Sequence, residues 1–164
     1  MNRNIIIKQI ISESTGKDPE YSYSDIKPLI VDDVKEFRKL SNDCLRRIST
    51  INSMALRAQK RGDNYSEQIR SNAWELKEDV KEFFQIRNRV LNKIEKSIGE
   101  IPFSIHEYFI KVFSRILFTA DSAVKSILGF NENPKKVIEF CSQAEDALSK
   151  LNDSMYTLTN GKLY

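Results

Sequence analysis

The sequence contains few of the residues from which catalytic sites are usually built. It has one histidine, two cysteines and five glycines among its 164 residues. A Ser–His–Asp or Cys–His arrangement would have to use the single histidine, His106. No ExxH pair is present for a di-iron site. No GxxxxGK[ST] or GxGxxG loop occurs either. Nothing in the chain therefore indicates an enzyme, and we predict no metal and no cofactor.

Long hydrophobic runs and a strong charge of one sign are also absent. No run approaches membrane-spanning length, and the apolar N-terminus is broken by Lys8 and Gln9 and lacks the cleavage site of a signal peptide. Cys44 and Cys141 form no CxxC pair, which favours two small core residues in a reducing compartment. Because the net charge is only +3, charge alone does not predict a nucleic-acid-binding protein. We expect a cytoplasmic protein without membrane contact.

Helical periodicity is the clearest positive signal. Between residues 69 and 98, apolar side chains recur at steps of three and four, which predicts one face of a long α-helix. Arg87 lies at the midpoint of the one longer gap, where the stripe predicts an apolar side chain. The stripe consists of Ile69, Ala73, Leu76, Val80, Phe83, Val90, Ile94 and Ile98.

A second long stripe precedes this one. It consists of Val34, Phe37, Leu40, Cys44, Ile48, Ile51 and Ala55. The segment RGDN at residues 61–64 ends the helix, with Gly62 as the natural C-terminal breaker, and we interpret its RGD triplet as a helix stop. Two long helices joined by so short a connection should pack as an antiparallel hairpin.

Three shorter helices are predicted after residue 99. Ser104 and Glu107 have the spacing of a capping box at the start of the first. Asp121 is expected to cap a second helix that ends near Gly129, and Asn133 to cap the last. The sequence therefore predicts an all-α bundle of five to six helices.

The predicted organisation has three parts. Residues 1–24 form an N-terminal segment and linker, residues 25–118 a helical bundle domain, and residues 119–164 a helical C-terminal extension. The Asn160-Gly161 turn between β-prone residues would allow a tiny C-terminal β-hairpin, although two such short strands are not stable alone.

Two groups of basic residues are candidate binding surfaces. One comprises Arg46, Arg47, Arg57, Lys60 and Arg61, and the other Arg87, Arg89, Lys93 and Lys96. The ordinary interpretation of such groups is a solvated charged face. The alternative is a surface that contacts phosphate or an acidic partner.

The later helices carry an excess of aromatic residues. Adjacent Phe83 and Phe84 point about 100° apart on a helix, so one neighbouring helix cannot easily bury both. Core packing explains most of these rings, while others fit a subunit interface, where aromatic residues and arginine are enriched. The interface candidates are Arg87, Phe84, Trp74, Phe109 and Phe113.

One stretch resembles a known family. The run EDVKEFFQIRNRVLNKIEKSI followed by IPFSIHEYFIKVFSRIL is similar to the helical domain of archaeal GINS subunits, over roughly residues 25–118. Ile86-Arg87 with Lys93-Ile94 would match one family motif, at a spacing two residues longer. A second motif would be matched by Ser104, Glu107, Tyr108 and Phe109.

The resemblance implies a non-catalytic scaffold subunit of a DNA replication assembly, which links the replicative helicase to partner proteins. Arg87 would then have a structural or interfacial role. Hetero- or homo-oligomers with other subunits, and weak DNA contact, would be expected. The C-terminal part departs from the family, which usually carries a small β-domain where residues 119–151 have helical patterns.

Two alternatives stay open. The segment HEYFIKVFSRILFTADSAVKSILGF resembles the helical core of the C-terminal domain of the primase large subunit, without its iron–sulfur cysteines. That resemblance implies an accessory subunit in which Arg70, Trp74 and His106 contact nucleotide phosphate or template. The other alternative is a free-standing helical nucleic-acid-binding protein of a mobile element. The nucleic-acid candidates are Arg46, Arg47, Arg57, Lys60, Arg61, Arg70, Arg89, Lys93 and His106.

Overall fold

The computed structural model of the chain describes residues 26–101 and 106–160, without the side chains of residues 107–110 and 157–160. Its main elements are helices α1 (Val31–Arg61), α2 (Ser66–Ile98), α3 (Ser114–Gly129) and α4 (Pro134–Asn160). A short 3-10 helix, Lys27–Leu29, precedes α1, and a π-helical segment, His106–Phe113, runs directly into α3. Within the described residues no strand occurs, and the predicted all-α class is confirmed.

The four helices form a closed ring. Helix α1 packs against α2 and α4, and α3 packs against α2 and α4 on the opposite side. Ion pairs join Asp33 to Arg89 and Arg47 to Glu75, so α2 runs antiparallel to α1 as predicted. This is the arrangement of an up-and-down four-helix bundle.

Gly62 ends α1 where the sequence predicted it. Its φ of 73° is left-handed, a conformation that glycine adopts without steric cost, and its N–H donates to the carbonyl of Ala58 at 3.0 Å. Only residues 62–65 separate α1 from α2, and this short connection brings the two helices together as a hairpin.

One hydrophobic core is shared by all four helices. Both predicted long stripes lie in it, except that Ile98 at the end of α2 is only partly buried. Ile86, which the sequence pattern passed over, is buried and occupies the gap that was assigned to Arg87. Phe37 of α1 makes an edge-to-face contact with Phe83 of α2 at a centroid distance of 5.1 Å.

The predicted number of helices is not confirmed. Helix α3 continues through Asp121, whose carboxylate pairs with Lys125 one turn later at 2.8 Å and does not cap a new helix. The boundary predicted between residues 118 and 119 also falls inside this helix. Ser104 and the side chain of Glu107, which form the predicted capping box, lie outside the described part of the chain.

The predicted C-terminal hairpin is not confirmed either. Residues 155–160, which would supply its first strand, are the last turns of α4. Leu148, Leu151 and Met155 are buried and anchor this end of the helix to the core, and tertiary packing of this kind overrides local β-propensity. The second half of the hairpin falls outside the described residues.

Within residues 26–101 and 106–160, no helix combines the length and the apolar character that a membrane crossing requires.

Both cysteine thiols should be unreactive in the folded protein. Cys44 and Cys141 are buried, and burial is the main cause that raises the pKa of both, that of Cys141 to about 12. Because the thiolate is the reactive form, we expect labelling of Cys141 by a disulfide reagent near pH 8 to be at least about a thousandfold slower than in the unfolded chain. Labelling with and without concentrated guanidinium chloride measures this. Equal rates in the two conditions would contradict it.

Candidate functional site

Three of the predicted nucleic-acid residues form ion pairs between α1 and α2. Arg89 pairs with Asp33 at 3.2 Å and with Glu36 at 2.5 Å, and Lys93 pairs with Asp33 at 2.5 Å. The side chain of Asp33 is only 4% exposed, so it depends on these two cations for compensation of its charge. Arg47 is similarly held between the helices by Glu75 at 2.5 Å. These cations fasten α1 to α2.

The remaining basic candidates lie on the surface in two places. Arg46 pairs with Asp43 on its own helix. Exposed side chains without an ion pair to any described residue occur on both sides of the α1–α2 connection: Arg57, Lys60, Arg61 and Arg70. We call these four residues the end cluster. Its three members on α1 lie in the last turns of that helix, where the helix dipole favours cations.

His106 does not belong to that cluster. It lies beside Gly99 and Glu100, at the end of α2 opposite to Arg70. A rise of 1.5 Å per residue places the α2 positions of Arg70 and Gly99 about 43 Å apart. The structure therefore does not bring the predicted nucleic-acid residues together into one site.

A polar cluster between α1 and α2 contains an unusual carboxylate. Burial raises the pKa of Asp79, and this effect outweighs the opposing one of Arg47, whose Nε lies 3.8 Å from the carboxylate. The thiol of Cys44 lies 4.0 Å from the same oxygen. The ionised form of Asp79 is thus less favourable in the folded protein than in the unfolded chain.

Replacing Asp79 by asparagine should therefore stabilise the fold near neutral pH. A raised folded-state pKa means that the stabilising contribution of the carboxyl is full below the ordinary aspartate pKa of about 4 and is lost as the pH rises through the folded-state pKa. The advantage of Asp79→Asn should accordingly shrink in acid. Urea unfolding across this pH range measures the stability difference between the variant and the wild type.

As a control, Glu75→Gln removes the closer partner of Arg47 and should not stabilise the fold. A loss of stability in Asp79→Asn near neutral pH would refute the argument.

Arg87 joins α2 to α3 without a carboxylate partner in the described part of the chain. Its Nη1 donates to Oγ of Ser114 at 2.8 Å, and its Nε and Nη2 donate to Oδ1 of Asn88 at 3.2 and 2.9 Å. Its guanidinium lies 5.3 Å from the ring centre of Phe84, within cation–π range. Burial lowers the pKa of this arginine. Arg87 is therefore a partly desolvated cation that no described carboxylate neutralises.

Arg87 borders an open groove of about 760 Å³ along the outer side of α3. The ring of Phe118 stands in this groove with 61% of its surface exposed and lies 5.3 Å from the ring of Phe84 beneath it. The described lining residues are Arg87, Lys111, Ser114, Arg115, Phe118, Thr119, Ser122, Ala123, Ser126 and Gln143. Three of them are basic and none is acidic.

The predicted interface residues divide between surface and core. Phe84 supports the floor of the groove, and Trp74 is 55% exposed on α2, where Lys77 stacks on its ring at 4.7 Å. Phe113 is fully buried against Phe37 and is unavailable to a partner, so that assignment is corrected. The side chain of Phe109 lies outside the described residues.

Phe118, Lys111 and Arg115 were not among the predicted interface or nucleic-acid residues, although Phe118 belongs to the aromatic excess of the later helices. A signal was available, because Lys111 and Arg115 are four residues apart and therefore share a face of one helix. Phe118 follows three residues later on that same face, away from the buried Leu117 and Ala120. An aromatic residue on a face otherwise basic and hydroxylated is the pattern that would have indicated the groove.

Among the described side chains, no group of three or more histidine, cysteine, aspartate or glutamate residues could hold a metal ion. Comparison of the chain with models of known protein families, with curated protein sequences and with solved structures finds no match.

Proposed function

We propose that the chain is a non-catalytic subunit of a protein assembly, which it joins through the groove on α3. The observation that carries the proposal is the exposed ring of Phe118, set among arginines in an open groove. Large aromatic side chains and arginine are the residues most enriched at the centres of protein interfaces. Exposure of this apolar ring to water is unfavourable, and a partner that covers the ring gains free energy by removing its apolar area from solvent.

We further propose that the assembly is a replication complex of the GINS type, with the chain as a scaffold between the replicative helicase and partner proteins. This finer proposal is supported by the resemblance of residues 25–118 to archaeal GINS subunits. It is also in keeping with the interhelical hydrogen bond of Arg87 to Ser114, because the resemblance implies a structural or interfacial role for that arginine.

Affinity purification of the tagged full chain from its native cells tests both the proposed membership of an assembly and the proposed replication complex. We expect a partner at fixed stoichiometry with the wild type and its loss in Phe118→Ala. The control variant Phe130→Ala removes another exposed ring, which packs against Phe140 away from the groove lining, and should retain the partner. Recovery of the ring helicase would support the replication setting, and recovery of primase subunits would replace it. A chain that elutes as a monomer would refute the proposal.

A second candidate function, weak contact with nucleic acid, is favoured by the end cluster of Arg57, Lys60, Arg61 and Arg70. No described acidic side chain is paired with these cations, so they remain available to phosphate. Binding to a labelled DNA duplex should weaken steeply with salt, with a slope reduced in Arg61→Gln and unchanged in Arg46→Gln. Salt-independent binding, or no binding at low salt, would exclude this candidate.

A further inference from the structure

The groove on α3 has two different ends. Towards the start of the helix it is bordered by Arg87, Lys111 and Arg115. Beyond the ring of Phe118 the part of the lining that α3 supplies consists of small side chains: Thr119, Ser122, Ala123 and Ser126. Cations at one end, an aromatic ring in the middle and small residues at the other end define a binding surface with a direction.

The two arginines of the groove differ from the arginines that are held between α1 and α2. Arg47 and Arg89, which also lie between helices, each have carboxylate partners within 4 Å. Arg87 and Arg115 have none among the described residues. Positive charge that a chain does not neutralise itself attracts acidic partners and disfavours basic ones.

The surroundings of the groove favour a short acidic segment of protein over nucleic acid. Lys81 pairs with Glu78, and Lys125 pairs with Asp121, so these two exposed lysines of α2 and α3 are already neutralised. A nucleic-acid strand carries one charge on every nucleotide and requires a basic track that continues beyond three residues. The local and asymmetric charge of the groove suits a ligand whose charge is confined to one end.

The form of the occupant follows from the backbone. The wall of the groove is a helix, whose N–H and C=O groups are bonded internally and offer no ladder to an extended peptide. A helical ligand satisfies its own backbone, and the small side chains of Ser122, Ala123 and Ser126 permit close approach. From Lys111 to Ser126 the lining spans about 22 Å, which is the length of about four helical turns.

We propose that this groove binds an acidic amphipathic helix of a partner protein. Carboxylates of that helix face Arg87 and Arg115, and an apolar side chain covers Phe118. The inference rests on the proposed function, since it specifies what the assembly supplies to the groove. It adds the chemical class of the partner segment and its orientation along α3.

Site-specific photocrosslinking in the native cells identifies the occupant directly. The full chain carries a benzophenone amino acid in place of Ser122, which lines the groove, and a control chain carries it in place of Arg38, which is exposed on α1. Mass spectrometry of the crosslinked peptide should find an amphipathic helical segment rich in aspartate and glutamate. A nucleic-acid adduct, a second copy of this chain, a segment without acidic residues or no product above the control would overturn the inference.

Charge reversal separates this inference from the proposal beneath it. Arg115→Glu should reduce the yield of the crosslink and of the captured partner at least tenfold, and Arg38→Glu should leave both within twofold. The variants are compared at equal folded concentration, verified by circular dichroism. If the chain remains in a stoichiometric complex that Phe118→Ala disrupts but Arg115→Glu does not affect, only the acidic class of the partner segment fails. If the wild-type chain is monomeric in the extract, the proposed function fails as well.

Discussion

Replacing both Arg89 and Lys93 by alanine should lower the free energy of unfolding by about 3 kcal/mol. Both cations contact Asp33, which is almost wholly buried at the first turn of α1. Without them the carboxylate remains in the core with no opposite charge within ion-pair distance. We expect the lower end of the range for an uncompensated buried charge, because the space vacated by two half-exposed side chains admits water. Urea unfolding followed by circular dichroism measures the change.

The matched variant is Asp33→Asn, which removes the charge and leaves the two cations. Arg89 keeps Glu36 at 2.5 Å, and Lys93 can turn to water, so the cost should be only about 1 kcal/mol. Adding Asp33→Asn to the double alanine variant should then restore part of the lost stability, because no buried charge is left. If the double alanine variant is no less stable than Asp33→Asn, the charge of Asp33 is not what these residues compensate.

The ion pairs between α1 and α2 show a limit of predicting binding surfaces from the positions of charged residues in a sequence. Helical periodicity correctly placed Arg47, Arg89 and Lys93 outside the apolar stripe of the hairpin. It could not show whether they face water or a partner helix, because that depends on the register between α1 and α2. The register is set by packing between distant residues, such as Phe37 against Phe83, and is not encoded in either helix alone. A local pattern therefore suggested a binding surface where the fold has internal ion pairs.

Other differences between the predicted and the observed fold also arise because a local pattern fits more than one structure. Asp121 resembles a helix cap in sequence, yet an aspartate four residues before a lysine is also favourable inside a helix. The long hairpin and its turn were predictable because apolar spacing and Gly62 specify them directly. The groove was not, since it requires Arg87 of α2, Phe118 of α3 and Gln143 of α4 to meet.

The adjacent residues Phe83 and Phe84 should respond very differently to truncation. Phe83 is fully buried and contacts Phe37, so Phe83→Ala should lower the free energy of unfolding by about 3–5 kcal/mol through lost burial and a cavity. Phe84 is partly buried beneath the exposed ring of Phe118, and Phe84→Ala should lower it by about 1–2 kcal/mol. Chemical denaturation of the two variants at equal concentration measures the difference.

The comparison is informative because the two substitutions remove the same atoms from neighbouring positions of one helix. Helix propensity changes identically in both, so the difference isolates the environment of the ring. Phe84 lies within contact distance of both Arg87 and Phe118, and its loss should loosen the floor of the groove while the core stays intact. Phe84→Ala should therefore weaken partner capture even at temperatures at which the variant is fully folded. Phe83→Ala should reduce capture only in proportion to the fraction of the chain that it unfolds. Equal losses of stability would show that Phe84 belongs to the core, and the groove would then lack the aromatic support that partner binding requires.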